Sequence, residues 1–259
     1  MTPAEIRARA EFGQRLACEA GALALRYFRR EIAFTTESKG PQDFVSAADE
    51  AVEALIRSRL AEAFPRDTML GEEAGGDLGA HAWFVDPIDG TINFVHGVRY
   101  WCVSIAFLVE GIRHIGVIYD PSQDELFWAT KDGGAYCNGL PMRVSTCDTL
   151  DHAMVCTGHI PRHSLDAHLQ LKRRLHEAGT AVKDMGAGAL MLAHVAAGRY
   201  DGYLEPHMHP WDALAGLLLV EAAGGRTHPY PGSDGLASGG TVIASAPGIY
   251  EALERMMLR

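Results

Sequence analysis

The chain has 259 residues, 47% of them hydrophobic, which is enough to bury a sizeable core and excludes a disordered polypeptide. Its formal net charge is −10, with 33 Asp+Glu against 23 scattered Lys+Arg, so it carries no basic footprint for nucleic acid and suits small cationic partners such as divalent metals. The five cysteines (Cys18, Cys102, Cys137, Cys147, Cys156) are odd in number and lack CxxC spacing, which argues against a disulfide framework or a zinc knuckle and predicts a cytoplasmic setting; neither a signal peptide nor a membrane span is predicted.

In chain order, Leu16, Ala20, Leu23, Ala24, Tyr27 and Phe28 recur at helical spacing and predict a long amphipathic first helix. Ser46 opens a second helix, with Asp49 three residues on in a capping-box pattern and Val52, Leu55, Ile56, Leu60 and Phe64 on its apolar face; Pro65 ends it. From Trp83 to about Val144 the period changes. The runs "WFVD", "WCVSIAFLV", "RHIGVIYD" and "DELFWAT", separated by turn signals, predict an antiparallel meander, and Tyr100-Trp101 reads as core rather than as an interface. After about Asp148 strands and helices alternate. "MVCTG", "AVKD", "DGYLE" and "TVIAS" are the strands, with helices at 164–177, 187–197, from Trp211 and from Pro247, and this alternation predicts a mostly parallel layer. The division expected is 1–147, an α+β half, and 148–259, an α/β half, with no linker between them.

The acidic residues at the ends of these elements carry the functional signal. Glu72 and Glu73 follow the apolar stretch ending at Leu70; Asp86 and Asp89 close "WFVDPID"; Asp212 follows "HPW" at a helix start; Asp49 lies near the start of the second helix. Each has an ordinary explanation taken singly: a solvated loop, a turn opening, a complement to the helix dipole, a cap. Four such placements in one chain argue instead for a convergent set of oxygen donors, the inventory that holds Mg²⁺ together with a phosphate and water. His207 and His209 form an HxH pair but lack a third His or Cys partner for zinc. Gly90-Thr91, following Asp89, predicts a helix start whose amides form an anion site. Metals beside an anion pocket point to a phosphate ester.

The segments "GEE" at 71–73, "DPIDGTINFVHG" at 86–97 and "WDALAG" at 211–216 resemble the signature motifs of the inositol monophosphatase family, within the lithium-sensitive, Mg²⁺-dependent phosphatases that include fructose-1,6-bisphosphatases. The resemblance covers nearly the whole chain, since "SKGPQDFVSAADE", "GVIYDP", "GAYCNG", "VAAGRYDGYLE" and "EAAGG" stand in family order. It implies a five-layered αβαβα sandwich and a homodimer, with two or three Mg²⁺ per subunit. By the same resemblance Glu72, Asp86 and the Ile88 carbonyl hold a first metal and Asp86, Asp89 and Asp212 a second. Thr91 and Glu72 orient the attacking water, and the amides of Gly90 and Thr91 hold the phosphate. Asp49 partners the threonine hydroxyl and a third metal, Lys39 lies near the site, and Glu205 contacts substrate hydroxyls.

The resemblance implies hydrolysis of inositol-1-phosphate or a related sugar or polyol monophosphate. Histidinol phosphate is the alternative substrate, although "GTINFVHG" is closer to the inositol-type motif than to "GTRAF"; no added basic pocket for the second phosphate of a bisphosphate nucleotide is seen. A regulatory binding role on the same fold is the alternative of a different class, since some bacterial relatives bind transcription machinery. This chain departs from the family at "GAGAL", where Gly186 and Ala187 stand in a substrate-lining segment and Ala187 lacks a hydroxyl, and in the loop 156–164 with its His159, Arg162 and His163. Asp89→Asn is expected to remove most phosphatase activity while leaving the fold largely intact, as read by phosphate release beside circular dichroism.

Overall fold

The computed structural model describes residues 1–33, 36–40, 43–158, 164–230 and 236–258, with 36–40 and 43–46 described as backbone only. Helix α1 (Pro3–Phe28) starts where the Thr2 hydroxyl accepts the Glu5 amide and the Glu5 carboxylate accepts the Thr2 amide, with proline in the first turn. Its buried stripe is small, Ala10, Gly13, Ala17, Ala20, Gly21 and Ala24 around Leu16, so the helix lies close on the sheet beneath it. Strands β1 (Thr36–Gly40) and β2 (Asp43–Ser46) form an antiparallel pair and lead into α2 (Ala47–Ala63), which buries Val52, Ile56 and Leu60. The Ser46 side chain, expected to cap α2, lies outside the described residues.

The first sheet comprises β3 (Thr68–Gly71), β4 (Gly75–Gly76), β5 (His81–Asp89), β6 (Cys102–Val109), β7 (Ile112–Asp120), β8 (Glu125–Thr130), β9 (Gly134–Cys137) and β10 (Leu140–Pro141); helix α3 (Thr91–Val95) separates β5 from β6. The strand order is β10-β9-β8-β7-β6-β5-β3-β4, so the meander expected from the sequence is present. To it is added β3, which pairs with β5 in parallel and carries the chain to Glu72. The strands read as nearly unbroken apolar runs because both faces are covered. Trp83, Val85, Val103, Ile105, Phe107, Ile115 and Val117 pack against α1 and α2, while Phe84, Ala106, Leu108, Ile118, Phe127 and Ala129 face the other way. Trp101 is fully buried, as expected of a core residue.

The second sheet is built from β11 (Met154–Thr157), β12 (Ala181–Lys183), β13 (Gly202–Met208), β14 (Arg226–Thr227) and β15 (Gly240–Ser245), in the order β12-β11-β13-β15-β14. The expectation of a mostly parallel layer needs correcting. β11 is parallel to β12 and β13, but β15 runs antiparallel to both β13 and β14. Alternation implies parallel strands only where each helix returns the chain across its own sheet; β14 passes to β15 without an intervening helix among the described residues.

Helices α5 (Gly188–Ala196) and α6 (Pro210–Ala222) lie between the sheets, and their apolar residues share one core with the inner faces of both. Helices α4 (Leu165–Glu177) and α7 (Tyr250–Met257) cover the outer face of the second sheet, where Leu171, Leu175, Tyr250 and Leu253 meet Val155, Leu204 and Ile243. The result is a five-layered αβαβα stack with one core at each layer boundary or shared boundary. Among the described residues, no helix is long and apolar enough to cross a membrane.

The α6–sheet contact is unusually close at Gly116 of β7, where an added β-carbon would stand 2.6 Å from the Ala215 carbonyl oxygen. That neighbour is backbone and cannot swing aside. Gly116→Ala is therefore expected to cost about 1–3 kcal/mol through overpacking, read as a fall in melting temperature of roughly 2–10 °C.

Candidate metal centre

The sequence "DPID" does not end its strand. β5 runs through it to Asp89, and the pairing with β6 steps irregularly, Asp86 opposite Ser104 but Asp89 opposite Cys102. Between these pairs two residues on β5, Pro87 and Ile88, stand against one on β6, Val103, a bulge placed where Pro87 has no amide to give to the ladder. Side chains alternate along a strand, so positions three apart would ordinarily face opposite ways. The extra residue restores the phase, and Asp86 and Asp89 share the face that Ser104 and Cys102 share. An Asp86 Oδ1 contact at 2.9 Å from the Ile88 amide fixes the bulge.

Two further acids reach this face. Glu72 follows β3, its amide donating to the Val85 carbonyl at 3.1 Å, and Asp212 stands in the first turn of α6. The Ser104 hydroxyl donates to the Trp211 carbonyl at 2.9 Å and ties that turn to β6. One carboxylate oxygen from each of Glu72, Asp86 and Asp212 lies within 4.8 Å of the others. Asp86 is buried, whereas Glu72 and Asp212 are half-buried at the rim.

Burial raises all three carboxyls well above the ordinary range, and the charges acting on them most are other acids: Asp212 on Glu72, Glu72 on Asp86, and Asp89 on Asp212. A set of hard oxygen donors with mutually raised affinities for positive charge suits a hard divalent cation of the Mg²⁺ class. Lys39, expected near the site, has its side chain outside the described residues.

Asp89 sits beside the three but is engaged differently. Its Oδ1 accepts the Gly188 amide at 3.1 Å, and its Oδ2 accepts the amides of Ala189 and Leu190 at 2.8 and 3.3 Å. The carboxylate of β5 thus caps α5 from outside that helix, and its pKa is pushed up to about 6 by burial, against the lowering effect of those amides. The Ile88 carbonyl, expected to face a metal, accepts the Thr91 hydroxyl at 3.1 Å; the same hydroxyl is 3.4 Å from Oδ1 of the fully buried Asp49. Gly90 is left-handed at φ 90° and opens α3, whose first amides have no partner within the helix.

Substrate contacts expected from the sequence are placed unevenly. Ala187 is 1% exposed, its β-carbon packed against Gly90, so its missing hydroxyl leaves no open surface of its own. Gly186 packs against the Asn93 carboxamide, which donates to the carbonyls of Tyr100 and Met185 at 2.8 Å each. Glu205 is buried, pushed up to about 8 by desolvation, and accepts a hydrogen bond from the Tyr203 hydroxyl. Sequence reading passed over Tyr203 and Asn93. The period-two spacing of Tyr203 and Glu205 puts both on one face of β13 and was the available signal; nothing local marked Asn93. His207 and His209 meet edge to face at 5.3 Å, and residues 159–163, which include His159, Arg162 and His163, lie outside the described residues.

A profile of the inositol monophosphatase family matches residues 6–257. The chain is 38% identical over 226 residues to an inositol-1-monophosphatase of Rhizobium meliloti, covering 85% of each chain. It is 35% identical over 244 residues to the Nus factor SuhB of Escherichia coli, covering 92% of this chain and 91% of that one. Among solved structures, the extragenic suppressor protein suhB of Bartonella henselae superposes with a TM-score of 0.88 at 36% identity over 94% of this chain and 95% of that one. An IMPase of Thermotoga maritima gives the same score at 30% identity over 97% of both.

The raised carboxyls set the direction of a pH effect. In the metal-free fold Glu205 keeps its proton up to about 8, whereas its unfolded counterpart releases it near 4.5. The folded state therefore binds more protons across that window, and stability falls as pH rises through it. The histidines with resolved shifts, His114 and His194, are both lowered and so are neutral by pH 7. In chelator the melting temperature is expected to fall as pH rises from about 7 to about 8, where Glu205 gives up its proton in the folded state, and scanning calorimetry across that range reads the fall.

Proposed function

The chain belongs to the inositol monophosphatase family, and from that premise we propose that it is a Mg²⁺-dependent phosphomonoesterase acting on inositol-1-phosphate or a related sugar or polyol monophosphate. The observation that carries this reading is the meeting of Glu72, Asp86 and Asp212, from three separate elements, at oxygen-to-oxygen distances one cation can span. Mg²⁺ held there would neutralise phosphate charge and lower the pKa of water, the two requirements of an otherwise very slow hydrolysis. Glu72, Asp86 and Asp212, with Asp89 and the Ile88 carbonyl, are the residues assigned to hold it.

The protein's own part is positioning. The first amides of α3, at Gly90 and Thr91, present donors to the phosphate. The Thr91 hydroxyl, between Asp49 and the Ile88 carbonyl, has two acceptors for its proton and can turn a lone pair towards water. Glu205, with Tyr203 donating to it, offers a buried acceptor for a substrate hydroxyl, and the Gly186–Gly188 segment closes the wall beside it. Cytoplasmic location and a homodimer belong to the same reading.

The Escherichia coli relative is a Nus factor, which supports a second reading in which the fold serves a transcription complex instead of, or besides, hydrolysis. A panel of inositol-1-phosphate, histidinol phosphate, fructose-1,6-bisphosphate and a 3′,5′-bisphosphate nucleotide separates the readings. The expected outcome is Mg²⁺-dependent, Li⁺-inhibited phosphate release, greatest from a polyol monophosphate, and lost by at least about 100-fold in Asp86→Asn. Silence on every substrate would overturn the phosphatase reading in favour of the binding role.

A further inference from the structure

Of the three clustered acids, Asp86 lies within β5 and Asp212 within α6, whereas Glu72 stands in the turn between β3 and β4. In the ionised form that takes up a cation, like charges gathered at such range push that turn away from the other two, and a loop has no ladder to resist them. The structure supplies the resistance from beneath. Glu53, on the buried side of α2 and 2% exposed, points its carboxylate into the turn. Its Oε2 accepts the Glu73 amide at 2.8 Å and its Oε1 the Ala74 amide at 3.1 Å. Arg57, one turn further along α2, donates to Glu53 Oε1 at 2.7 Å and to the Gly75 carbonyl at 2.8 Å. The carboxylate also occupies the space where a β-carbon on Gly71 would stand, which is why the residue before Glu72 is glycine.

We infer that Glu53 and Arg57 form a clamp that positions Glu72 for cation binding. Together they hold the amides of residues 73 and 74 and the carbonyl of residue 75, so the segment after Glu72 is gripped through its backbone on both polarities. Charge-assisted hydrogen bonds of this kind are among the stronger ones available to a loop, and a buried carboxylate that accepts three donors is well satisfied. Neither residue touches the substrate or the cation in this arrangement; both act through Glu72. The inference rests on the metal-site reading above, and extends it to α2.

The two residues carry opposite charges, which makes the test decisive. Mn²⁺ binding to the full-length protein is titrated by electron paramagnetic resonance for wild type, Glu53→Gln, Arg57→Met and Asp86→Asn, with melting in chelator to confirm folding. If nearby charge alone mattered, Arg57→Met would make the site more negative and tighten Mn²⁺ binding. The clamp requires the reverse: weakening of about 10-fold in Glu53→Gln and about 3-fold in Arg57→Met, with the Mg²⁺ concentration for half-maximal turnover rising more than kcat falls. Folded Arg57→Met that binds Mn²⁺ as tightly as wild type, or more tightly, overturns the clamp. If Asp86→Asn alone loses binding, the metal site stands and the clamp falls; if wild type itself binds no Mn²⁺, the metal reading fails and the clamp with it.

Discussion

The constraint on which the rest depends is the confinement of like charges. Glu72, Asp86, Asp89 and Asp212 are brought within mutual influence at the junction of a sheet, a loop and a helix start, and each is held above its ordinary pKa. Such a grouping costs the apo fold stability, because carboxylates out of water favour neutrality over charge. The fold bears that cost by surrounding the acids with elements that cannot drift: central strands on one side, a helix packed between two sheets on another.

The backbone devices that enforce the grouping are specific. The bulge at Pro87–Ile88 rephases β5 so that two acids three residues apart look the same way. Ser104 of β6 reaches the carbonyl before Asp212 and so sets the start of α6 against the sheet. Asp89 ties the first sheet to α5, as its carboxylate accepts three amides from the start of that helix while lying beside the cation-binding acids. Glu53 and Arg57 complete the set from below. Different elements thus hold each acid, and apart from the Asp86–Ile88 contact within the bulge none of these contacts is local in sequence.

That difference explains what the sequence could and could not disclose. Acids at the ends of apolar runs are visible in one dimension, and so were the periodicities of α1, α2, α5, α6 and the β5–β8 meander. Relations between distant segments were not. The parallel pairing of β3 with β5, the antiparallel return of β15, and the burial of Ala187 under Gly90 depend on where chains meet in space. Asp86-Pro87 read as a turn because a proline after an aspartate ordinarily is one; pairing with β6 turned it into a bulge. Tyr203, Asn93 and Glu53 look like routine strand, loop and helix residues until their partners are in place.

The middle core has a consequence for how this chain is made. Phe84, Ala106, Leu108, Ile118, Phe127 and Ala129 of the first sheet are covered by α5 and α6, whose residues lie between 188 and 222. A nascent chain that has emerged only as far as β10 therefore has one sheet face dressed by α1 and α2 and the other bare. The eight strands must wait, apolar side outward, while roughly fifty to eighty further residues are translated, several seconds at ordinary elongation rates. A stall or truncation in that interval leaves an adhesive surface, which makes the passage from the first half to the second the vulnerable moment of this protein's biosynthesis.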